Sequence, residues 1–224
     1  MKLGIISDIH GNYFALRQVL SALHQANCDS VICLGDISGY YSMVNECIDL
    51  IRTEGIISIK GNHDSYLLGE SSCPRSNTVN RCISYQRSVI SKKNLDWLAS
   101  LKPTYTTQLY SAVHGGWNDP LDEYINQFDF SAAMNSMPDC KLFISGHTHI
   151  QTLQSQNGIT YCNPGSVGQP RDHDPRAAFA ILENNEIQLR RVCYDIDSIA
   201  EHMRQSGFSD YYYKNLYSGS KIGQ

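Results

Sequence analysis

Five times along this chain an apolar run stops at residues able to bind a metal ion or move a proton. Leu3-Gly4-Ile5-Ile6-Ser7 runs into Asp8 and His10, and Val31-Ile32-Cys33-Leu34-Gly35 into Asp36. Ile56-Ile57-Ser58-Ile59 leads to Gly61-Asn62-His63-Asp64, Tyr110-Ser111-Ala112-Val113 to His114, and Leu142-Phe143-Ile144-Ser145-Gly146 to His147 and His149. Short apolar, β-branched runs read as buried strands. In open α/β sheets, ligands gather beyond the carboxyl ends of the strands. Gly-Asn alone is ordinary turn chemistry; it is the recurrence that separates the two readings. Five strand ends converging on one site is the arrangement the rest of the chain must serve.

The segments between these runs supply the layers. Asn12 to Gln25 carries a helical stripe (Leu16, Val19, Leu20, Leu23), with Asn12 placed to cap it. Met43 to Glu54 repeats the pattern through Val44, Cys47, Ile48 and Ile51, and Gly55 ends it. This βαβαβ opening predicts a parallel sheet. Leu67 to Leu101 reads as two or three helices around a Ser71–Asn77 loop containing Pro74, with Leu95, Leu98 and Leu101 as a packing stripe before Pro103. Thr104 to Tyr110 alternates as a strand would, and Leu121 to Met137 reads as a helix stopped by Pro138. Beyond residue 150 the chain becomes a meander, with Asn157-Gly158 and Asn184-Asn185 each marking a hairpin. Helix-linked strands followed by hairpins suggest two packed mixed sheets with outer helices. No repeat or low-complexity linker breaks the chain, so residues 1–224 are expected to form one domain. The tyrosine-rich tail beyond Gln205 shows no period and is expected to cover the core or meet a partner.

Composition closes off other functions. A formal net charge of -4 argues against a binder of nucleic-acid duplexes or membrane surfaces, which is usually basic. No run approaches the roughly 18 apolar residues of a membrane span. Asp8 and His10 interrupt any signal-peptide core, so a cytoplasmic protein is expected. The eight cysteines form no Cys-x-x-Cys pair and are read as reduced structural thiols.

Seven residues remain as candidate metal ligands: Asp8, His10, Asp36, Asn62, His114, His147 and His149. Five of the eight histidines (10, 63, 114, 147, 149) fall at the strand ends, a concentration that packing alone does not explain. Nitrogen-rich donors with two carboxylates favour Mn, Fe, Co, Ni or Zn over Ca or Mg. Seven ligands are too many for one tetrahedral zinc but suit two ions sharing a carboxylate. Two divalent ions against two carboxylates leave a positive site, suited to phosphate. A metal pair roughly 3.5–4 Å apart can hold a phosphoryl oxygen and acidify a water.

In this order, Asp8-Ile9-His10, Gly35-Asp36, Gly61-Asn62-His63-Asp64, His114 and Gly146-His147-Thr148-His149 resemble the motifs of the calcineurin-like metallophosphoesterase superfamily, closest to its small bacterial and archaeal phosphodiesterase branch. Asn163-Pro164-Gly165-Ser166-Val167-Gly168 adds to the likeness. The resemblance implies a four-layer α/β/β/α sandwich of two mixed β-sheets flanked by helices. It implies hydrolysis of a phosphodiester or a small phosphomonoester by a metal-bound hydroxide, on a small phosphorylated substrate. It also implies two divalent transition-metal ions, manganese foremost. Asp8, His10 and His149 would hold one, Asn62, His114 and His147 the other, with Asp36 bridging. His63 would protonate the leaving oxygen and Asp64 orient it.

One departure stands out. Many relatives carry an Arg or Asp shortly after the bridging aspartate, where this chain has Ile37-Ser38-Gly39-Tyr40-Tyr41. Arg171, His173 and Arg176 are the candidate substitutes for a phosphate clamp, against the alternative of a solvated charged loop. Tyr40 and Tyr41 either stack on a substrate ring or pack. A protein phosphatase, a dinucleoside-polyphosphate hydrolase and a non-catalytic scaffold on the same fold are the competing functions. A mononuclear metalloprotease lacks its His-Glu-x-x-His helix.

Overall fold

The computed structural model describes residues 2–73 and 76–223. β1 (Lys2–Ile6), α1 (Tyr13–Gln25), β2 (Ser30–Cys33), α2 (Val44–Thr53) and β3 (Ile57–Ser58) follow the expected βαβαβ order. The Asn12 side chain accepts from the Ala15 amide, as its capping role requires. β1 pairs parallel with β2 and β2 with β3, although β3 joins the ladder over two residues only. Three helices follow: α3 (Asn62–Leu68), α4 (Asn77–Val89) and α5 (Lys92–Ala99). The first opens inside Gly61-Asn62-His63-Asp64, so this stretch is a helix start rather than a free loop. Pro74, expected in the loop before α4, lies outside the described residues.

β4 (Thr104–Thr106) is shorter than expected, because the Thr107 hydroxyl accepts from the Leu109 and Tyr110 amides and turns the chain. β5 (Ser111–Val113) then precedes the largest correction. Of Leu121 to Met137 only α6 (Phe130–Ser136) is helical. The Asp119 side chain takes the Leu121 and Asp122 amides, and that of Asp129 takes the Ser131 and Ala132 amides, so helix begins only at the second of these caps. β6 (Leu142–Ile144), β7 (Gln151–Gln156), β8 (Ile159–Pro164), β9 (Ala177–Glu183) and β10 (Glu186–Val192) complete the strands, with both hairpins where Asn-Gly and Asn-Asn predict them. α7 (Ile196–Gln205) and two 3-10 turns, Asp210–Tyr212 and Lys214–Tyr217, end the chain.

The strands form two five-stranded mixed sheets, β10-β9-β1-β2-β3 and β4-β5-β6-β8-β7. Leu3, Ile5, Ile32 and Leu34 of the first face Ala112, Ile144 and Cys162 of the second in a dry inter-sheet core. The alternate residues of β1 and β9, such as Ile6 and Phe179, turn outward onto α1, α2 and α3. Phe143 and Tyr161 turn outward from the second sheet onto Trp117, Phe128 and Ala133. Two sheets with helices on both outer faces make the four-layer sandwich. Phe208 and Leu216 of the tail pack with Tyr41, Ile199 and Met203, so the tail covers the core. All eight cysteines are free thiols, six of them buried. Among the described residues no helix is long and apolar enough to cross a membrane.

Candidate metal centre

The ends of β1, β2, β5 and β6 and the start of α3 meet at one point. Five of the seven expected ligands have a left-handed backbone: Asp8 (φ 56°), His10 (54°), Asp36 (52°), His147 (68°) and His149 (62°). Such conformations cost about 1–3 kcal/mol each for non-glycine residues and persist only where the surroundings enforce them. Here the enforcement is visible. The Asp8 and His10 amides donate to the Gly35 and Asp36 carbonyls, the His147 amide to Asp8 Oδ2, and the Gly146 amide to the His114 carbonyl. Gly39 takes a φ of 143° and has no room for a Cβ, which would meet the imidazoles of His10 and His63.

Three imidazoles are locked in the same sense. Nδ1 of His10 lies 3.0 Å from the Ser38 carbonyl, that of His114 2.8 Å from the Leu34 carbonyl, and that of His149 2.6 Å from the Gln169 carbonyl. A carbonyl only accepts, so each Nδ1 carries the hydrogen, and wherever the ring is neutral Nε2 turns a bare lone pair inward. Nε2 of His10 and of His149 are 3.1 Å apart, two lone pairs face to face. Asp8 Oδ1 sits 3.3 Å from His149 Nε2 and 3.8 Å from His10 Nε2. Asp36 Oδ2 sits 3.3 Å from His114 Nε2 and 3.6 Å from His10 Nε2, and Asn62 Oδ1 lies 3.0 Å from His114 Nε2. Asp8 Oδ1 and Asp36 Oδ2 are buried without a hydrogen-bond partner among the described residues. Acceptors turned toward one another in a buried pocket call for a cation. Asp8, His10 and His149 form one set with donor atoms within 4.8 Å of each other; Asp36, His114 and His147 form a second; and His10, Asp36 and His63 link them.

The charge balance suits ligation. Burial, reinforced by the neighbouring His63 and by the Arg171 charge, holds His10 well below the usual imidazole range. Burial with Arg171 and His10 does the same for His149. Neutral imidazole is the ligating form. Burial raises Asp8, and pushes Asp36 up to about 7 against the pull of His114. Burial alone would lower His114, but the Asp36 carboxylate, 3.3 Å from its Nε2, carries it up to about 10. In a metal-free chain a proton on His114 is thus the cation that this side of the pocket holds.

The remaining expectations divide. His63 is buried beside His10, ring centroids 4.7 Å apart, with Nδ1 lacking a hydrogen-bond partner among the described residues. Asp64, expected to orient His63, is bonded to the loop after Asp36. Its Oδ1 accepts from the Ser38 amide and hydroxyl, and its Oδ2 from the Gly61 and Ile37 amides, so the carboxylate pins the Asp36 loop to the start of α3. Arg171 reaches the site: its guanidinium donates to Gln169 Oε1 and to the Tyr40 hydroxyl, and its charge is felt by Asp8, His10, His63 and His149. The Arg176 guanidinium is instead held by Asp174 on an exposed turn, and His173 is likewise exposed. Tyr40 packs edge-on against the His10 ring and tilted against the His63 ring, with centroids 4.7 and 4.8 Å away. Tyr41 is core, its hydroxyl held by Gln169 and Asn215. Two neighbours of His147 were not expected. The Tyr124 ring lies 4.0 Å from the His147 ring, and Asp122 Oδ1 lies 3.5 Å from His147 Nε2. Both sit in the stretch read as helix, where nothing in the local pattern marks a site.

Known proteins of this architecture agree. Residues 1–186 match the sequence model of the calcineurin-like phosphoesterase superfamily domain. An uncharacterised protein of Methanocaldococcus jannaschii is 30% identical, over 97% of this chain and 98% of its own. The phosphodiesterase YfcE of Escherichia coli is 25% identical over 84% of this chain and 91% of its own. The crystal structure of a metallophosphoesterase from Sphaerobacter thermophilus superposes with a TM-score of 0.83 at 32% identity, over 98% of this chain and 99% of the other. The protein belongs to the calcineurin-like phosphoesterase superfamily and is a metal-dependent hydrolase of phosphoric esters.

Proposed function

We propose that this chain is a two-metal phosphodiesterase acting on small substrates. The observation that carries the reading is the facing pair of Nε2 lone pairs on His10 and His149, with Asp8 Oδ1 beside them and lacking a hydrogen-bond partner among the described residues. Asp8, His10 and His149 would hold one divalent transition ion, and Asn62, His114 and His147 the other. Asp36 lies between the sets and would bridge. Manganese heads the expected ions, with Fe, Co, Ni or Zn as alternatives, because the donors are mainly imidazole. Bound there, the ions would neutralise phosphoryl oxygens and acidify a water.

The chain's own residues do the rest. Arg171 is the candidate substitute for the missing Arg or Asp after Asp36 that reaches the site. Gln169 and Tyr40 hold its guanidinium rigid, ready for one phosphoryl oxygen. One such cation suits a monoanionic diester better than a dianionic monoester. His63 stands within the linking set, and burial with the Arg171 and His114 charges keeps it neutral in the free site. An arriving phosphoryl anion opposes both charges, lets the imidazole take up a proton and positions it to pass that proton to the leaving oxygen. Asp64 acts at one remove, by holding the Asp36 loop against the start of α3.

The test is metal analysis paired with hydrolysis of matched nitrophenyl mono- and diesters. Two ions per chain, and a higher kcat/KM on the diester, are expected. Full activity in protein shown metal-free by elemental analysis would refute the two-metal reading. A monoester preference of several orders of magnitude would overturn the diester assignment.

A further inference from the structure

Three of the four imidazoles proposed as ligands have a backbone carbonyl against Nδ1; beside the fourth, His147, stands a carboxylate. Ser38, Leu34 and Gln169 supply those carbonyls, and in each case the ring nitrogen held is Nδ1. His147 instead has its Nε2 3.5 Å from a side-chain carboxylate, Asp122 Oδ1. Tyr124 lies against the same ring, its centroid 4.0 Å away.

Both residues stand on the loop that follows β5, and that loop is tightly built. The His114 and Gly115 amides both donate to the Pro120 carbonyl, and the Gly116 amide to that of Asp119. Asp119 Oδ1 takes the Leu121 and Asp122 amides. Glu123 takes the Asn118 and Asp119 amides. A Cβ on Gly115 would stand 2.8 Å from the Asp122 and Glu123 amide nitrogens, so only glycine lets the loop close this far. Trp117 anchors it underneath, against Phe128 and Phe143. The loop therefore starts at one expected ligand, His114, and folds back to lay a carboxylate on another.

We propose that Asp122 is the positioning residue of His147: it accepts the Nε2 hydrogen and so turns Nδ1, not Nε2, toward the second metal position. The inference rests on the two-metal reading above. A ligating histidine usually gives its other N–H to a carboxylate, carbonyl or water, and losing that partner typically weakens metal binding 10–100-fold. The 3.5 Å separation is long for a finished hydrogen bond, and contacts of this kind commonly tighten once a site is loaded. An imidazole backed by a carboxylate is also a more basic ligand than one backed by a neutral carbonyl. Its partner, unlike a carbonyl, can be removed by mutation.

Two measurements test this. The first is a chelator-competition titration of Mn2+ into wild type, Asp122→Ala and Asp122→Asn, with thermal unfolding of each metal-free chain as a check on folding. In Asp122→Ala one ion should weaken by about 10–100-fold while the other stays within about twofold. Asp122→Asn, which keeps an acceptor without the charge, should fall between. Two ions bound with wild-type affinity by Asp122→Ala overturn the inference alone. A wild type that takes up no ion overturns it together with the two-metal reading. The second measurement uses wild type loaded with Zn2+, so it does not depend on any variant folding. Long-range 1H–15N spectra should show His10, His114 and His149 with hydrogen on Nδ1, and His147 with hydrogen on Nε2. Four rings in the same tautomer overturn the inference.

Discussion

The two sides of the centre are held by different means. On the Asp8–His10–His149 side, both imidazoles are fixed by backbone carbonyls and covered by Tyr40, whose hydroxyl is tied to Arg171. On the Asp36–Asn62–His114–His147 side, His114 is fixed by the Leu34 carbonyl, but His147 faces a side chain brought in by an irregular loop. The first side has its orientation written into the strand ends themselves. The second borrows part of it from a segment whose conformation depends on its own turn chemistry. Loops of the first kind resist single substitutions, since a carbonyl cannot be deleted; loops of the second kind do not.

Removing what the sides share should do the most damage. Asp36 stands within 3.6 Å of His10 Nε2 and 3.3 Å of His114 Nε2, and its Oδ1 also accepts the His63 amide. Asp36→Ala is expected to lose both ions, or keep one loosely, and to abolish hydrolysis. Elemental analysis that still finds two ions per chain would place the bridge elsewhere. By contrast, His149→Ala should empty the first side and leave the second loaded.

Next in size is a change that leaves both sides intact. His63→Gln should retain two ions while kcat falls by roughly 10²–10⁴ if the imidazole is a general acid. The loss should be largest on alkyl or nucleoside esters, whose leaving oxygen needs a proton, and smallest on nitrophenyl esters, whose leaving group is already a stable anion. Equal losses on both, or missing metal, would make His63 a positioning residue.

The contrast between the sides also explains what could be read in advance. Strand ends carrying Asp8, His10, Asp36, His114, His147 and His149 announce themselves, because β-branched runs and residues of ligating type coincide in the sequence. So does the hairpin at Asn157-Gly158. Asp122 and Tyr124 do not, since the apolar spacing of Leu121, Tyr124, Ile125 and Phe128 imitates a helix. What overrides it is short-range bonding by Asp119 and Asp129 to the backbone, a competition that periodicity does not register. Asp64 was legible as important but not as a loop clasp, because its four donors come from two segments, Ile37–Ser38 and Gly61. Arg171 could be separated from Arg176 only in three dimensions, where Asp174 captures the second and Tyr40 with Gln169 receives the first.

Arg171 offers a smaller effect that sharpens the difference between the walls. A hydrogen bond to a charged group is worth about 1.5–3 kcal/mol, so Arg171→Ala should lower kcat/KM by about 10–100-fold with both ions retained. Arg171→Lys should recover only part of that loss, since an ammonium cannot reproduce the fork that Gln169 and Tyr40 hold. A wild-type kcat/KM in Arg171→Ala would remove the guanidinium from the substrate site.

The mildest test uses pH alone, and it asks whether the two sides bind metal with different proton linkage. Asp36 raises His114 from the usual imidazole value to about 10, so in a metal-free chain at pH 8 its proton is in place. An ion ligated at Nε2 must displace that proton. Affinity on this side should therefore rise with pH, by about tenfold per unit for one proton displaced, between pH 7.5 and 9. Below about pH 7 the slope should steepen, because Asp36, pushed up to about 7 by burial, then holds a second proton. On the other side, His10 and His149 are held well below the usual imidazole value and are already neutral at pH 7.5, so they release nothing. Calorimetric titration in two buffers of different ionisation enthalpy separates the cases. The expected outcome is one binding event that releases about one proton and one, in the same range, that releases close to none. Equal release from both events would mean that the His114–Asp36 pair does not set one side apart.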